Sequence, residues 1–343
     1  MSASNSLIYL RDTIFGEFLD RREGLTEIAV NRPNQIYTKE KGIWIPHDVD
    51  LSYQDCADLL QPLSNYSNNY IGEDNPILSA TLHTGERVQA ILPPVCLDGH
   101  ISITIRKPSD VFISHEDFVK QGFYSRLNHP ERYEAPRNKL IELYNEKRFE
   151  EFIPECFRQG KTVVFNAGTG AGKTTFANSV LYYIDHDLRI LFIEDTDEAK
   201  PRFHDNHVKM FYPSEGGENA VITPAKLLRS CFRMNGDRIL MTEVRGAETW
   251  DFLKASSSGH RGNATTVHED TIEDTIIGMV TRCYMNPECK QLPYNVILRK
   301  VLNNIDVIMS MQYLDRENLR FASGIYFKDL HMEEYWQRLR EAR

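Results

Sequence analysis

A glycine-rich stretch followed by lysine and threonine points most directly to chemistry. It reads AGTGAGKTT over residues 167–175 and follows the short apolar run TVVF over residues 162–165. Glycines let backbone N–H groups close around phosphate oxygens, and the helix expected next directs its positive dipole end at the same anion. This P-loop pattern predicts that the stretch binds a nucleoside triphosphate.

Individual positions of the loop have expected tasks. The Lys173 side chain reaches the β- and γ-phosphates, and the Thr174 hydroxyl binds Mg²⁺. Ala167 stands where the strict pattern has glycine, a mild change provided that this position needs no positive φ. The other expected nucleotide-binding residues are Gly168, Thr169, Gly170, Ala171, Gly172 and Thr175.

Carboxylates at strand ends are the candidates for hydrolysis, which needs a group that orients or deprotonates water beside the γ-phosphate. Glu243 ends the apolar run ILMTE over residues 239–243, so in a parallel sheet it emerges at the carboxyl edge, where the P-loop also opens. The structural alternative is a strand-end ion pair with Arg245. Glu194 and Asp195 end a neighbouring apolar run, and one of them is a candidate to hold Mg²⁺ through water; the alternative for Asp195 is a turn cap.

Basic side chains flank the same predicted edge. His268 follows an expected strand and is a candidate to hydrogen-bond the γ-phosphate or the attacking water, although histidines at strand ends are more often structural. Arg229 and Arg233 lie four residues apart and share a helix face, and Arg238 precedes the strand that leads to Glu243. These arginines are either phosphate-reaching fingers across a subunit interface or part of a solvated face, and periodicity leaves both open.

Length and composition indicate an ordinary globular protein. The 343 residues suggest two domains, and 41% of them are hydrophobic and 26% charged. The net charge of −9 argues against a protein that tracks along nucleic acid. No uncharged apolar run reaches the roughly 20 residues that cross a bilayer, and the N-terminus lacks a secretory-signal pattern. The six scattered cysteines form no CxxC pair, which favours reduced thiols over a zinc site.

Apolar spacing divides the chain into three predicted parts. Residues 1–108 combine helices over 7–19 and from Ser52 with short strands, which predicts an α+β domain. Residues 109–149 are expected to form a polar linker and the start of a connecting helix over 138–159. In residues 150–343 apolar strands alternate with helices, which predicts a mostly parallel α/β core that ends in a hairpin and a charged helix.

Four stretches in a fixed order carry a family resemblance. FNAGTGAGKTT, ILFIEDTDE, LLRSCFRMNGDRILMTEVRGAETWDFL and SSGHRGNATTVHED look like the Walker A, Asp box, Walker B and His box of the secretion-motor ATPase superfamily. Members of that superfamily drive type II secretion, type IV pili and type IV secretion. ISITIRKPS and DNHVKMFY look like the type IV secretion branch, the hexameric traffic ATPases.

The resemblance implies a RecA-like P-loop core with a separate N-terminal α+β domain joined by a linker, and ATP and Mg²⁺ as cofactors. Lys173 and Thr174 then bind phosphates and Mg²⁺. Glu243 is the catalytic glutamate, and Glu194 of the Asp box assists metal or water. His268 belongs to the His box.

The resemblance also assigns Arg106, which looks like the N-terminal-domain arginine that closes over the nucleotide from across the interdomain cleft. Asn235 and Gly236 stand where the family usually has Arg-Pro, and Thr242 replaces the usual glycine before the glutamate. We expect these departures to affect the rate of hydrolysis more than the type of reaction that is catalysed. The length of the linker resembles branch members in which neighbouring subunits exchange domains.

The leading interpretation is a ring-forming, Mg²⁺-dependent ATPase that powers assembly of, or transport through, a type IV secretion or conjugation machine. It implies a homo-hexamer that works with other type IV secretion ATPases and inner-membrane channel components. The expected location is cytoplasmic, peripheral at the cytoplasmic face of the bacterial inner membrane, with no direct sequence-specific nucleic-acid binding. The alternatives are a helicase-like nucleic-acid motor on the same core, a small-molecule kinase and a non-catalytic nucleotide-gated scaffold.

Overall fold

Two β-sheets organise the chain, one in the N-terminal part and one around the P-loop. The computed structural model describes residues 3–109, 112–127, 135–168, 170–214 and 220–341. Within these ranges, no helix has both the length and the apolar character needed to cross a membrane.

The N-terminal sheet has six strands, and all of its neighbouring strands pair antiparallel in the order β3-β2-β1-β6-β5-β4. Its strands are β1 (Leu25–Arg32), β2 (Gln35–Glu40), β3 (Ile43–Asp48), β4 (Ile77–Thr81), β5 (Arg87–Ile91) and β6 (Ser102–Arg106). Two helices, α1 (Ala3–Arg21) and α2 (Tyr53–Tyr66), pack against each other beside it. The predicted start of α2 is confirmed, because Ser52 and Asp55 form a reciprocal capping box.

Three short helices lie in the described residues of the segment between the two sheets. They are α3 (His115–Lys120), α4 (Ala135–Asn145) and α5 (Phe149–Arg158). Ser114 is the N-cap of α3. The single helix expected over 138–159 is wrong: Lys147 takes a left-handed φ of 59°, and the Arg148 N–H folds back onto the Leu143 carbonyl at 3.0 Å. This closure ends α4 before α5 begins.

The second sheet has seven strands in the order β13-β12-β7-β11-β10-β8-β9. Its strands are β7 (Val163–Ala167), β8 (Ile190–Glu194), β9 (His207–Phe211), β10 (Arg238–Met241), β11 (Ala264–Val267), β12 (Val307–Leu314) and β13 (Leu319–Phe327). Every pair is parallel except the β12–β13 hairpin. The predicted mostly parallel core and its terminal hairpin are therefore confirmed. Every residue of β7, β8 and β11 is buried, as expected for strands covered on both faces.

Helices cover both faces of this sheet. They are α6 (Lys173–Val180), α7 (Pro224–Met234), α8 (Glu248–Ser257), α9 (Ile272–Cys283), α10 (Tyr294–Asn304) and α11 (Lys328–Leu339). Thr223 caps α7 and Thr271 caps α9. Sequence reasoning missed α10, whose N-terminus has no side-chain cap and whose buried residues pack it beside α9.

The N-terminal sheet contacts the core at the amino ends of the parallel strands. Arg189, immediately before β8, is completely buried, and its guanidinium donates to the Thr104 hydroxyl at 3.1 Å. Asn206, before β9, accepts from the Asn31 amide at 2.9 Å. Asp237, before β10, accepts from the Trp44 indole at 2.9 Å. Because the P-loop opens at the carboxyl ends of the same strands, these three contacts lie at the edge of the core sheet opposite the chain's own P-loop.

Candidate active site

The P-loop joins β7 to α6 with the geometry that its glycines predict. Gly170 and Gly172 both have a φ of 81°, and Gly172 is the N-cap of α6. Ala167 is the last residue of β7 and is not among the positive-φ residues, so an alanine is tolerated there. Thr169 lies outside the described residues.

A cleft of about 980 Å³ opens above the P-loop, at the carboxyl edge of the sheet. The lining residues from the P-loop and the start of α6 are Gly168, Gly170, Ala171, Gly172, Lys173, Thr174, Thr175, Phe176 and Ser179. The central strands and the loops after them contribute Asp195, Glu198, Thr242, Glu243, Arg245, Thr266 and His268, and the β12–β13 hairpin contributes Met309, Met311, Arg320, Phe321 and Ala322. Most of the side chains predicted from the four boxes therefore meet in one cleft.

Lys173 is buried at the start of α6, and neutral groups hold it. Its ammonium group donates to the backbone carbonyl of Val267 at 3.0 Å and of Ala167 at 3.5 Å. Burial lowers the pKa of this group, and the negative charge of Glu243 opposes the shift. Since carbonyls leave its positive charge uncompensated, Lys173 is suited to pair with an anion in the loop.

Glu243 is held in the cleft by an arginine that bridges two carboxylates. Arg245 donates from Nη2 to Glu243 Oε2 at 2.7 Å and from Nη1 to Asp195 Oδ2 at 2.5 Å. His268 Nε2 lies 3.6 Å from Glu243 Oε1. The predicted functional position of Glu243 and the alternative ion pair with Arg245 thus occur together, because the ion pair orients the carboxylate inside the cleft.

Glu194 requires a correction, because the structure does not place it at the cleft. Its side chain is completely buried and lies 3.0 Å from the Lys209 ammonium group. Its Oε1 also accepts from the backbone N–H groups of Glu198 at 3.0 Å and Ala199 at 2.7 Å. Burial raises the pKa of this carboxyl, and the hydrogen bond from the Ala199 N–H opposes the shift. Since successive side chains of a strand point to opposite faces, the inward position of Glu194 leaves Asp195 to face the cleft.

Glu198 is the carboxylate that sequence reasoning missed. Its Oε2 accepts from the Thr174 hydroxyl at 2.9 Å, so it lies beside the hydroxyl expected to bind Mg²⁺. The signal in the sequence is its position as the last residue of ILFIEDTDE, four residues beyond the strand-end Glu194. Thr174, Glu198 and the nearby Asp195 supply hard oxygen donors, which fit a Mg²⁺ ion bound together with nucleotide phosphates.

Arg106 is not brought to the cleft of its own chain. Its Nε lies 3.7 Å from Glu27 Oε1, and 59% of its side chain is exposed. Glu27 in turn accepts from the Asn235 amide at the opposite edge of the core sheet. Asn235, which ends α7 with a left-handed φ of 48°, therefore contacts the N-terminal part instead of supplying a basic group.

The three arginines around α7 do not line the cleft either. Arg229 and Arg233 are exposed on the outer face of the helix. Arg238 lies largely inside the protein, where its Nη1 donates to the Asp237 carbonyl at 2.9 Å and burial lowers its pKa. The described contacts give Arg238 a structural role within this chain.

Comparison with known proteins gives a consistent result. Residues 135–318 match the family described as type II/IV secretion system protein. The type IV secretion system protein VirB11 of Brucella abortus is 36% identical over 289 residues, which are 83% of this chain and 80% of the relative. A PtlH homolog of Bordetella bronchiseptica, also a type IV secretion system protein, is 31% identical over 294 residues, 85% of this chain and 86% of the relative.

A solved structure extends the likeness to the whole fold. The crystal structure of the VirB11 ATPase from the Brucella suis type IV secretion system, in complex with sulphate, superposes with a TM-score of 0.88. It is 30% identical in sequence, and the match covers 98% of each chain. These relatives give no support to a nucleic-acid motor. The chain belongs to the type II/IV secretion system protein family, within the secretion-motor ATPase superfamily.

Proposed function

We propose that this chain is a ring-forming, Mg²⁺-dependent ATPase that powers the assembly of, or transport through, a type IV secretion machine. The observation that carries the proposal is the cleft in which Lys173 and Thr174 of the P-loop face Glu243 from the loop after β10. The family relationship indicates the class of secretion machine, and the residues that line the cleft indicate the reaction.

In this proposal the P-loop binds the phosphates of ATP. Its backbone N–H groups and the Lys173 ammonium group contact the β- and γ-phosphates, and the N-terminus of α6 adds its dipole. Thr174 and Glu198 hold Mg²⁺, which neutralises phosphate charge when it is bound. The 2.9 Å contact between their side chains supports this pairing.

Hydrolysis depends on Glu243. Arg245 fixes the Glu243 carboxylate from one side, which leaves Oε1 to orient or deprotonate a water molecule beside the γ-phosphate. His268 lies on the Oε1 side at 3.6 Å, where it can donate to the same water or to a phosphate oxygen. A group held in place before the reaction needs no reorganisation during it.

The assembly, the domain division and the location are also proposals. We propose three parts, 1–108, 109–149 and 150–343, and a homo-hexamer at the cytoplasmic face of the inner membrane that works with other secretion ATPases and channel components. The position of Arg106, exposed and remote from its own cleft, supports a role at the cleft of a neighbouring subunit.

Two measurements test this function. We expect the protein to release phosphate from ATP without any acceptor, and we expect this activity to depend on Mg²⁺ and to be lost in Lys173→Ala. Turnover that requires a small-molecule acceptor would instead indicate a kinase. Light scattering with Mg²⁺ and ATP should give a mass near that of a homo-hexamer. A monomer at micromolar concentration with ATP bound contradicts the ring, and stimulation by single-stranded nucleic acid favours the helicase-like alternative.

A further inference from the structure

The β12–β13 hairpin contacts the P-loop through an arginine that lies outside all four sequence boxes. Arg320 Nε donates to the backbone carbonyl of Gly170 at 3.0 Å, across 150 residues of sequence. We propose that Arg320 is a positioning residue that fixes the orientation of the peptide unit between Gly170 and Ala171 for phosphate binding. The inference rests on the proposed function of the P-loop as a nucleotide site.

The hairpin itself holds the Arg320 side chain. Tyr313 and Arg320 are paired across the two strands, and the guanidinium carbon lies 4.3 Å from the centre of the Tyr313 ring. At the hairpin turn, Asn318 accepts from the Tyr313 hydroxyl at 3.1 Å and from Arg320 Nη1 at 3.5 Å. Stacking and a shared acceptor restrict the rotamers of an otherwise exposed side chain, so the donor at Nε is pre-oriented.

The bonded carbonyl belongs to a residue whose backbone is unusually free to rotate. Gly170 has a φ of 81° and no Cβ, so both of its flanking peptide units rotate at low steric cost. In a trans peptide the carbonyl and the following N–H point in opposite directions. A donor that holds the Gly170 carbonyl toward the hairpin therefore keeps the Ala171 N–H pointing away from it.

This orientation matters because a P-loop binds phosphate through backbone N–H groups. If the Gly170 peptide turned over, a carbonyl oxygen would replace the Ala171 N–H at its position, and its partial negative charge would repel the phosphate. Arg320 lines the cleft, but in this role it opposes that rotation through its bond to the loop backbone rather than through a contact with nucleotide. The hairpin also lies close to the next glycine, since a Cβ built on Gly172 would be 3.2 Å from Arg320 Cδ.

The test compares Arg320→Ala, Arg320→Gln and Arg320→Lys with the control Arg316→Ala, which removes an exposed arginine from the same hairpin. Calorimetry with ATP and with ADP gives dissociation constants, and hydrogen exchange of the nucleotide-free proteins follows the amides of residues 163–175. Because a typical hydrogen bond within a protein changes an equilibrium by about tenfold, we expect Arg320→Ala to raise the dissociation constants of both ATP and ADP by about that factor. We also expect faster exchange in the P-loop, and neither effect in Arg316→Ala.

The conservative variants separate positioning from charge. Arg320→Gln keeps a donor without the charge and should bind nucleotide more tightly than Arg320→Ala. Two results would overturn the inference. The first is nucleotide affinity fully restored in Arg320→Lys together with unchanged P-loop exchange in Arg320→Ala, which would mean a purely electrostatic effect. The second is an unchanged dissociation constant in Arg320→Ala. Absence of ATP binding by the unmodified protein would instead refute the proposed function, while the exchange comparison would still test Arg320.

Discussion

The Thr174 hydroxyl donates a 2.9 Å hydrogen bond to the Glu198 carboxylate, which joins the first turn of the P-loop helix to the loop after β8. Thr174 is the second residue of α6, and Glu198 lies four residues after the end of β8. The bond brings a carboxylate to the hydroxyl expected at Mg²⁺. It identifies Glu198, rather than Glu194, as the glutamate of this stretch that faces the cleft.

The first prediction concerns the metal. We expect Glu198→Gln to raise the Mg²⁺ concentration for half-maximal hydrolysis by about tenfold, the lower end of the effect of altered metal-site contacts. The measurement is a Mg²⁺ titration of ATP turnover at saturating nucleotide. Glu116→Gln, an exposed carboxylate on α3, is the control and should leave the titration unchanged. An unaltered midpoint in Glu198→Gln would remove this residue from the metal site.

The second prediction concerns Glu194 as a structural residue rather than a metal ligand. Glu194→Ala leaves the buried Lys209 ammonium group with Asp197 as its remaining carboxylate partner. Breaking a buried ion pair costs about 3 kcal/mol, so we expect a loss of that order in the free energy of unfolding. Denaturant titration measures it. A stable Glu194→Ala protein with an altered Mg²⁺ midpoint would contradict this role.

The third prediction concerns pH at the contact between the two sheets. Burial raises the pKa of Glu27, which lies against Asn235, and the hydrogen bond from Asn235 opposes the shift. Because the pKa is higher in the folded state, this group's contribution to stability is present below the unfolded pKa and is lost as pH rises through the folded pKa. Glu27→Gln stays neutral and removes the titration.

The corresponding measurement is the free energy of unfolding of both proteins from about pH 4 to about pH 7. We expect Glu27→Gln to gain stability relative to the unmodified protein as pH rises. A difference that is constant with pH would mean that folding leaves the pKa of Glu27 unchanged, and a difference that falls as pH rises would mean that the folded state stabilises its carboxylate. Either result would contradict the prediction.

The fourth prediction tests the bridge between Asp195 and Glu243. Two different guanidinium nitrogens of Arg245 contact the two carboxylates, and a single lysine nitrogen does not reproduce this geometry. We expect Arg245→Lys to lower kcat by about tenfold with little change in KM, because the orientation of Glu243 affects the reaction more than ATP binding. Arg202→Lys, an exposed arginine before β9, is the control. An equal change in both kinetic constants would indicate a role in nucleotide binding.

The P-loop and the parallel core were predictable because their signals are local. The glycines, Lys173 and Thr174 are contiguous, and the apolar strands alternate with capped helices. Glu243 was predictable for the same reason, since residues at or just beyond the end of a strand in a parallel sheet reach its carboxyl edge. It follows the last residue of β10, Met241, by two positions.

Other parts of the site depend on contacts that no local pattern encodes. Glu198 reaches Thr174 because the chain after β8 folds back, with its own N–H and that of Ala199 bonded to Glu194. Arg320 reaches Gly170 only after the sheet has assembled and the hairpin lies beside β7. Such pairings between distant residues follow from the tertiary structure rather than from spacing.

The most direct test of the central claim is the rate of ATP hydrolysis by Glu243→Gln. Glutamine keeps the size of the side chain but removes its capacity to accept a proton. We therefore expect nucleotide binding to persist and turnover to fall by about 100-fold or more. Turnover equal to that of the unmodified protein would contradict the catalytic role of Glu243 and favour a nucleotide-gated scaffold.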